Sequence, residues 1–197
     1  MSQSPYFSDP DAQLMLEFLG GDKASFEKLM RKYYPRILNF IYRYVGIREI
    51  AEDLTQEVFI KVYHNARSYV PKAKFSTWLF TVARNVSLNE LRSHKRKTVS
   101  MDESLETGEN EVRPQWQDLA ASDPSEDLAA KERASMVREA VARLPENQRV
   151  AVLLRRYEDF SYQEISQTMK ISEKAVKSLL NRAKESLRNK LSGLLDA

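Results

Sequence analysis

The sequence predicts an all-α fold: two small helical domains joined by an acidic flexible linker, the second domain containing a helix-turn-helix. Three observations carry this prediction. Apolar residues recur at the three- and four-residue steps of a helix, and no convincing alternating run marks a strand. Only five of the 197 residues are Gly and 30% are charged, which suits a helical protein of ordinary hydrophobic content. Between residues 98 and 127 the period is lost and acidic and small polar residues take over.

The elements follow in order. Asp22 can cap a helix opening at Lys23, with Phe26, Leu29, Met30 and Tyr33 on one stripe. Pro35 is expected to interrupt or restart it, after which Ile37, Leu38, Ile41 and Val45 carry the stripe to Gly46. A third helix spans about Arg48 to Ala66, with Leu54, Val58 and Val62 on one face. The stretch KFSTWLFTVARNVSLNELRSHKRK makes a fourth, with Phe75, Trp78, Leu79, Val82 and Val86 facing inward. These helices form the first domain, residues 1–97. The segment 98–127 contains Pro114, Pro124 and Gly108, and buries too little apolar area to offset the entropy of ordering it. It reads as the linker, with Trp116 its one aromatic residue.

The second domain, 128–197, begins with the stripe Val137, Ala140, Val141 and Leu144. Pro145 suits the first turn of a helix carrying Val150, Val152, Leu153 and Leu154. Ser161-Tyr-Gln-Glu164 is a capping box that opens a short helix to about Met169. Lys170 and Ile171 make a tight turn, and Ser172 caps a last helix reaching about Leu191. Two helices on a short turn, packed by Ile165, Met169, Ile171, Val176, Leu180 and Ala183, read as helix-turn-helix; an ordinary helical hairpin has a similar pattern.

Charge is unevenly distributed. Residues 61–100 hold 9 cations and 1 anion, 101–127 hold 1 and 9, and 128–197 hold 14 and 9, within a net charge of +3. Basic blocks of this kind suit a polyanion partner, although a charge run is also what a solvated face looks like. The chain has no Cys, which excludes disulfides, thiolate metal sites and a Cys nucleophile, and its two His are too few for a His-based metal site. No cofactor or metal is expected. The opening MSQSPYFSDPDAQ lacks the basic-then-apolar pattern of a signal peptide, and no apolar run nears the roughly 18 residues that span a bilayer. A cytoplasmic location with no stable membrane insertion is the expectation.

Two surfaces stand out. On the last helix, Lys174, Lys177, Ser178 and Asn181 lie where a recognition helix meets base edges, and Arg182, Lys184 and Arg188 where it meets phosphates. On the third, Asp53, Gln56 and Glu57 share a face away from Leu54 and Val58. Read alone, those three are exposed polar residues; a paired-carboxylate metal site is the weaker reading, since no His accompanies them.

The stretches AEDLTQEVFIKVY (51–63), FSTWLFTVARN (75–85), the acidic linker, and LPENQRVAVLLRRYEDFSYQEIS (144–166) followed by AVKSLLNRAKESLR (175–188) resemble, in order and spacing, the extracytoplasmic-function sigma factors of bacterial RNA polymerase. The resemblance covers roughly residues 20–97 and 128–192. It implies that Asp53, Gln56 and Glu57 dock on the coiled-coil clamp of core RNA polymerase. It implies that the stretch 68–97 captures the melted −10 promoter element, with the Ser68–Lys74 loop forming a pocket for a flipped base and Asn85 beside it. The expected −10 contacts are Tyr69, Lys72, Lys74, Phe75, Asn85, Arg92, Lys95 and Arg96. Trp78 fits the apolar stripe and is read as core, Tyr69 as the ring that touches a base, and Phe75 stays open between the two. The second domain would read −35 duplex, and the linker would thread the polymerase cleft.

An anti-sigma factor is expected by family habit, and no catalytic residue is. Ala175 and Leu179 stand where relatives often carry Thr and Arg, so the family's −35 contacts do not transfer there. Two rivals remain: a stand-alone helix-turn-helix regulator, which leaves the first domain unexplained, and a metal enzyme built on Asp53 and Glu57.

Overall fold

The computed structural model describes residues 5–101 and 128–192, with side chains described for 5–93 and 132–192. Among the described residues it is all-α, with eight α-helices and no strand. They are α1 (Pro10–Leu19), α2 (Lys23–Val45), α3 (Arg48–His64), α4 (Phe75–Met101), α5 (Leu128–Ala142), α6 (Glu146–Tyr157), α7 (Tyr162–Met169) and α8 (Glu173–Lys190). Single 3₁₀ turns at Pro5–Ser8 and Ala66–Ser68 complete the elements of the described residues.

Helix α1 has no counterpart in the sequence reading. It is short, but Asp9 caps it by accepting from the Asp11 N–H at 3.2 Å, and Pro10 fits its first position. Ala12 and Met15 bury completely against α2. The other Asp9 carboxylate oxygen accepts from the Phe75 N–H at 2.7 Å, so one side chain caps the starts of α1 and α4. Asp11 is buried, bound by both Lys32 Nζ and the Tyr33 hydroxyl at 2.7 and 2.6 Å.

Pro35 does not break α2, which runs unbroken from Lys23 to Val45 and corrects the expected interruption. An interior Pro costs about 3 kcal/mol through its lost hydrogen bond and ring clash. Here Pro35 lies on the exposed side, where water can reach the carbonyl it leaves unbonded. The buried Tyr33, Ile37, Phe40 and Ile41 offset the cost, at roughly 1.5–3 kcal/mol per fully buried large apolar side chain. The helix ends at Gly46, whose φ of 88° lets its N–H reach the Tyr42 carbonyl. Helices α3 and α4 then pack on α2.

Helix α4 runs on to Met101, four residues into the stretch read as linker; residues 102–127, Trp116 among them, lie outside the described residues. In the C-terminal group, α7 and α8 pack on each other and α6 packs on both. The predicted capping box is present: Ser161 N–H donates to Glu164 Oε2 at 2.7 Å, and Glu164 N–H to Ser161 Oγ at 3.2 Å. Lys170 closes α7 in the left-handed region at φ 55°, and Asp159, in the loop between α6 and α7, also has a positive φ of 54°, each at a cost on the order of 1 kcal/mol for a residue with a Cβ. Ser172 caps α8 by accepting from the Ala175 N–H. Pro145 turns out to be the cap of α6 rather than its first helical residue.

The two helical groups touch. Helix α7 lies on α4 and α6 on α2, so a single buried apolar cluster runs from Ala12 to Val176. The Phe80 and Phe160 rings meet edge to face across the junction, 5.2 Å between centroids.

Candidate nucleic-acid interface

On α3, Asp53, Gln56 and Glu57 are all exposed on one face, because Leu54, Thr55, Val58 and Phe59 turn inward. Glu57 pairs with Lys61 one turn on, at 3.1 Å, an exposed ion pair of small energetic weight. Beside this face runs an apolar groove of about 320 Å³ between α2 and α3, lined by Met30, Tyr34, Phe59, Ile60, Tyr63 and His64. Ile60 and Tyr63 are 56% and 48% exposed. Sequence reasoning missed this groove, although Ile60 and Tyr63 sit off the buried stripe of α3, which was the available signal. No group of three or more His, Asp or Glu side chains among the described residues is placed to hold a metal ion.

A second concavity, of about 260 Å³, lies between the end of α3, the turn that follows, and α4. Lys61, Asn65 and Ser68 form one wall; Trp78, Val82, Asn85 and Asn89 form the other. Local structure fixes each side chain. Asn65 caps α3, its amide donating to the Lys61 carbonyl at 2.8 Å, and Ser68 Oγ donates to the Asn65 carbonyl at 2.8 Å. Trp78, Val82, Asn85 and Asn89 follow one another at three- and four-residue steps, so α4 presents them as one stripe. Asn85 is exposed, with Oδ1 accepting from Arg84 at 3.4 Å.

The burial of the aromatics differs from the sequence expectation for Tyr69 and Trp78, and puts Phe75 in the core. Tyr69 is 5% exposed and Phe75 1%, so neither presents a ring face to a ligand. Trp78, read as core, is only partly buried and lines the cleft. The reason is that the loop after Ser68 folds back. Tyr69 packs on Trp78 at 4.9 Å and on Phe75 at 6.0 Å, making a row of three rings of which Trp78 is the outer member. Burial pushes the Tyr69 hydroxyl far above its ordinary pKa, and Asp9 and Asp11 add to the effect.

Of the expected cations, Lys72, Lys74 and Arg92 are exposed, while the Lys95 and Arg96 side chains lie outside the described residues. Lys74 is already engaged, its ammonium 2.8 Å from Glu164 on α7. On α8, Lys174, Lys177, Ser178, Asn181, Arg182, Lys184 and Arg188 are all exposed. Val176 and Ala183 are fully buried, and Leu179, Leu180 and Leu187 pack partly buried on the core. The helix therefore sits with a basic and polar face outward, as a recognition helix requires.

Two family models, both of the sigma-70 class, match the chain: Sigma-70 region 2 over residues 29–97 and Sigma-70, region 4 over 134–187. The RNA polymerase sigma-H factor of Pseudomonas aeruginosa is 32% identical, covering 95% of this chain and 96% of its own length. The ECF RNA polymerase sigma-E factor of Haemophilus influenzae is 31% identical, covering 94% and 97%. The chain belongs to the extracytoplasmic-function sigma factors, the alternative sigma factors of transcription initiation.

Two solved structures share the fold. The sigma factor RpoE in complex with the anti-sigma factor NepR, from Bartonella quintana, superposes with a TM-score of 0.64 at 22% identity, covering 85% of this chain and 96% of that one. CnrH in complex with the cytosolic domain of CnrY gives 0.63 at 21%, covering 94% and 97%. No helix among the described residues is long and apolar enough to cross a membrane.

Proposed function

We propose that this sigma factor docks on core RNA polymerase through Asp53, Gln56 and Glu57. The α4 cleft then captures unpaired −10 bases, and α8 reads −35 duplex, with residues 1–97 and 128–197 acting as two domains joined by 98–127. The observation that carries the reading is the cleft itself. A flipped base costs a few kcal/mol to unstack. A ring such as Trp78 returns roughly 1–3 kcal/mol per captured base, and the amides of Asn85 and Asn89 supply edge contacts. Lys72, Lys74 and Arg92 would hold the backbone by salt-sensitive phosphate contacts. Tyr69 and Phe75 support Trp78 from behind rather than touching a base.

On α8, Lys174, Lys177, Ser178 and Asn181 face base edges and Arg182, Lys184 and Arg188 face phosphates. The factor works in the cytoplasm with no catalytic chemistry of its own. Because the two solved structures that share its fold are described as complexes with NepR and with the cytosolic domain of CnrY, we assign it an anti-sigma partner.

Asn85→Ala is expected to impair melting at −10 while sparing initial −35 binding, read by permanganate footprinting; normal melting in the variant removes Asn85 from the cleft's role. Asp53→Arg or Glu57→Arg is expected to abolish pull-down of core polymerase.

A further inference from the structure

The loop from Ser68 to Lys74 holds out one large apolar side chain, Val70, at 56% exposure, although Tyr69 and Pro71 on either side of it are buried. Apolar residues scattered singly over a surface are ordinary. Val70 differs in how firmly it is held. Tyr69 has extended backbone, φ −69° and ψ 125°, so successive side chains point opposite ways. The Tyr69 ring turns inward onto Phe75 and Trp78, and Val70 therefore turns out.

Hydrogen bonds fix the backbone on both sides. The Tyr69 N–H donates to the Ala66 carbonyl at 2.9 Å, and the Lys72 N–H donates to the Val70 carbonyl at 2.7 Å. The second bond closes a three-residue turn around Pro71, whose ring presets its own φ. The branched Val side chain is itself stiff at χ1. Such a group gives up little freedom when it enters a complex.

Its place matters as much as its rigidity. Ser68 lines the α4 cleft, and the two residues from Ser68 to Val70 span at most about 7 Å. Bases stack ~3.4 Å apart, so Val70 stands within about two base steps of anything held in the cleft. Arg67 and Lys72 are exposed on either side of it, where cations can hold the backbone flanking an inserted group. Apolar side chains placed between base steps unstack them. A base drawn into the cleft leaves a gap in its stack, and no group of the cleft itself fills that gap. With Tyr69 and Phe75 buried and Trp78 facing the cleft, Val70 is the apolar group the loop has to offer.

We propose that Val70 is a wedge for promoter opening, entering the space that an extruded −10 base vacates and keeping the duplex from closing behind it. The inference rests on the reading of the α4 cleft as the seat of that base, and gives the loop a task distinct from capture. A wedge acts only where neighbouring strands are still paired, whereas a group that holds a captured base acts whether or not they are.

The test uses polymerase reconstituted from core and the full chain, on a promoter that it opens and on the same promoter with a non-complementary −10 element. On duplex, Val70→Ala is expected to slow opening roughly three- to tenfold, the order for two methyl groups partly buried between base planes, read by permanganate reactivity over time. On the pre-opened template it is expected to give wild-type run-off transcription. Val70→Leu should open duplex at close to the wild-type rate, and Val70→Thr, of the same shape but with a hydroxyl, should be slow. Circular dichroism checks that each variant keeps its helices.

An equal loss on both templates makes Val70 a strand contact and overturns the wedge, as does no loss on either. Trp78→Ala, run alongside, is expected to lose activity on both. If it is normal on both while Val70→Ala is slow on duplex alone, the wedge stands and the reading of the cleft falls.

Discussion

Trp78 stands at the outer end of its row of rings, and what lies behind it decides how it works. A tryptophan backed by Tyr69 and Phe75 has little rotamer freedom left to lose, which suits the proposed stacking of a base on it. Tyr69 belongs to this support, and its hydroxyl is buried with no partner among the described residues. Removing that oxygen deletes an unsatisfied polar atom and leaves the ring in place. Tyr69→Phe is therefore expected to be neutral or stabilising by up to about 1 kcal/mol in urea titration, with −10 melting intact. Trp78→Ala, in contrast, is expected to lose melting by the roughly 1–3 kcal/mol of one stacked base. The sequence could not separate the two rings. Periodicity shows which face of α4 is apolar, whereas the exposure of Trp78 depends on a loop that turns Tyr69 inward.

Helix α7 illustrates what an element takes from its surroundings. Its eight residues are too few to hold a helix alone, so the capping box and burial against α4 and α8 must do so. Burial pushes the Glu164 carboxyl up, but the Lys74 ammonium and the Ser161 backbone and side chain pull it below its ordinary value. An acid whose folded pKa is depressed adds stability above its unfolded pKa, near 4.5, and that stability is lost as pH falls through the folded value. Acidification below pH ~4.5 should therefore fray α7 before α6 or α8, visible as faster amide hydrogen exchange at Gln163–Ile165. Ser161→Ala should bring the same fraying at neutral pH, for about 1 kcal/mol.

This box was plain in the sequence, as were the helix-turn-helix and the outward residues of α8, because each depends on residues within a turn or two of one another. Helix α1 was legible only in part. The Asp9-Pro10 start was there to see, but Ala12 and Met15 make too short a stripe to announce a helix without α2 to cover it. The unbroken course of α2 through Pro35 was not legible, since it depends on burial that the proline itself does not reveal.

Across the whole molecule, the buried cluster is continuous from one helical group to the other, through Phe80 and Phe160. Units that share a core unfold together. The intact chain is expected to give a single calorimetric transition. Arg36→Glu, which uncouples the groups by placing a second acid beside buried Glu158, is expected to split it into two. A single unsplit transition in that variant would mean that the groups depend on each other by some route other than this pair. None of these long-range pairings, from Arg36 to Glu158 or Lys74 to Glu164, was readable beforehand. Residues 122 apart carry no mutual signal in one sequence.

Asp9 holds the first N–H of α4 from a position 66 residues earlier, while capping α1 with its other oxygen. The start of α4 is thus anchored by Asp9, next to the Lys74 that bridges to Glu164 on α7. Trimming by a protease beyond Pro10, or a tag that strains the first turn, would loosen the footing of Phe75 and let the wall of the cleft drift, with every residue of that wall still in place. A preparation shortened in this way would bind its template weakly for reasons that no inspection of the DNA-facing residues would reveal.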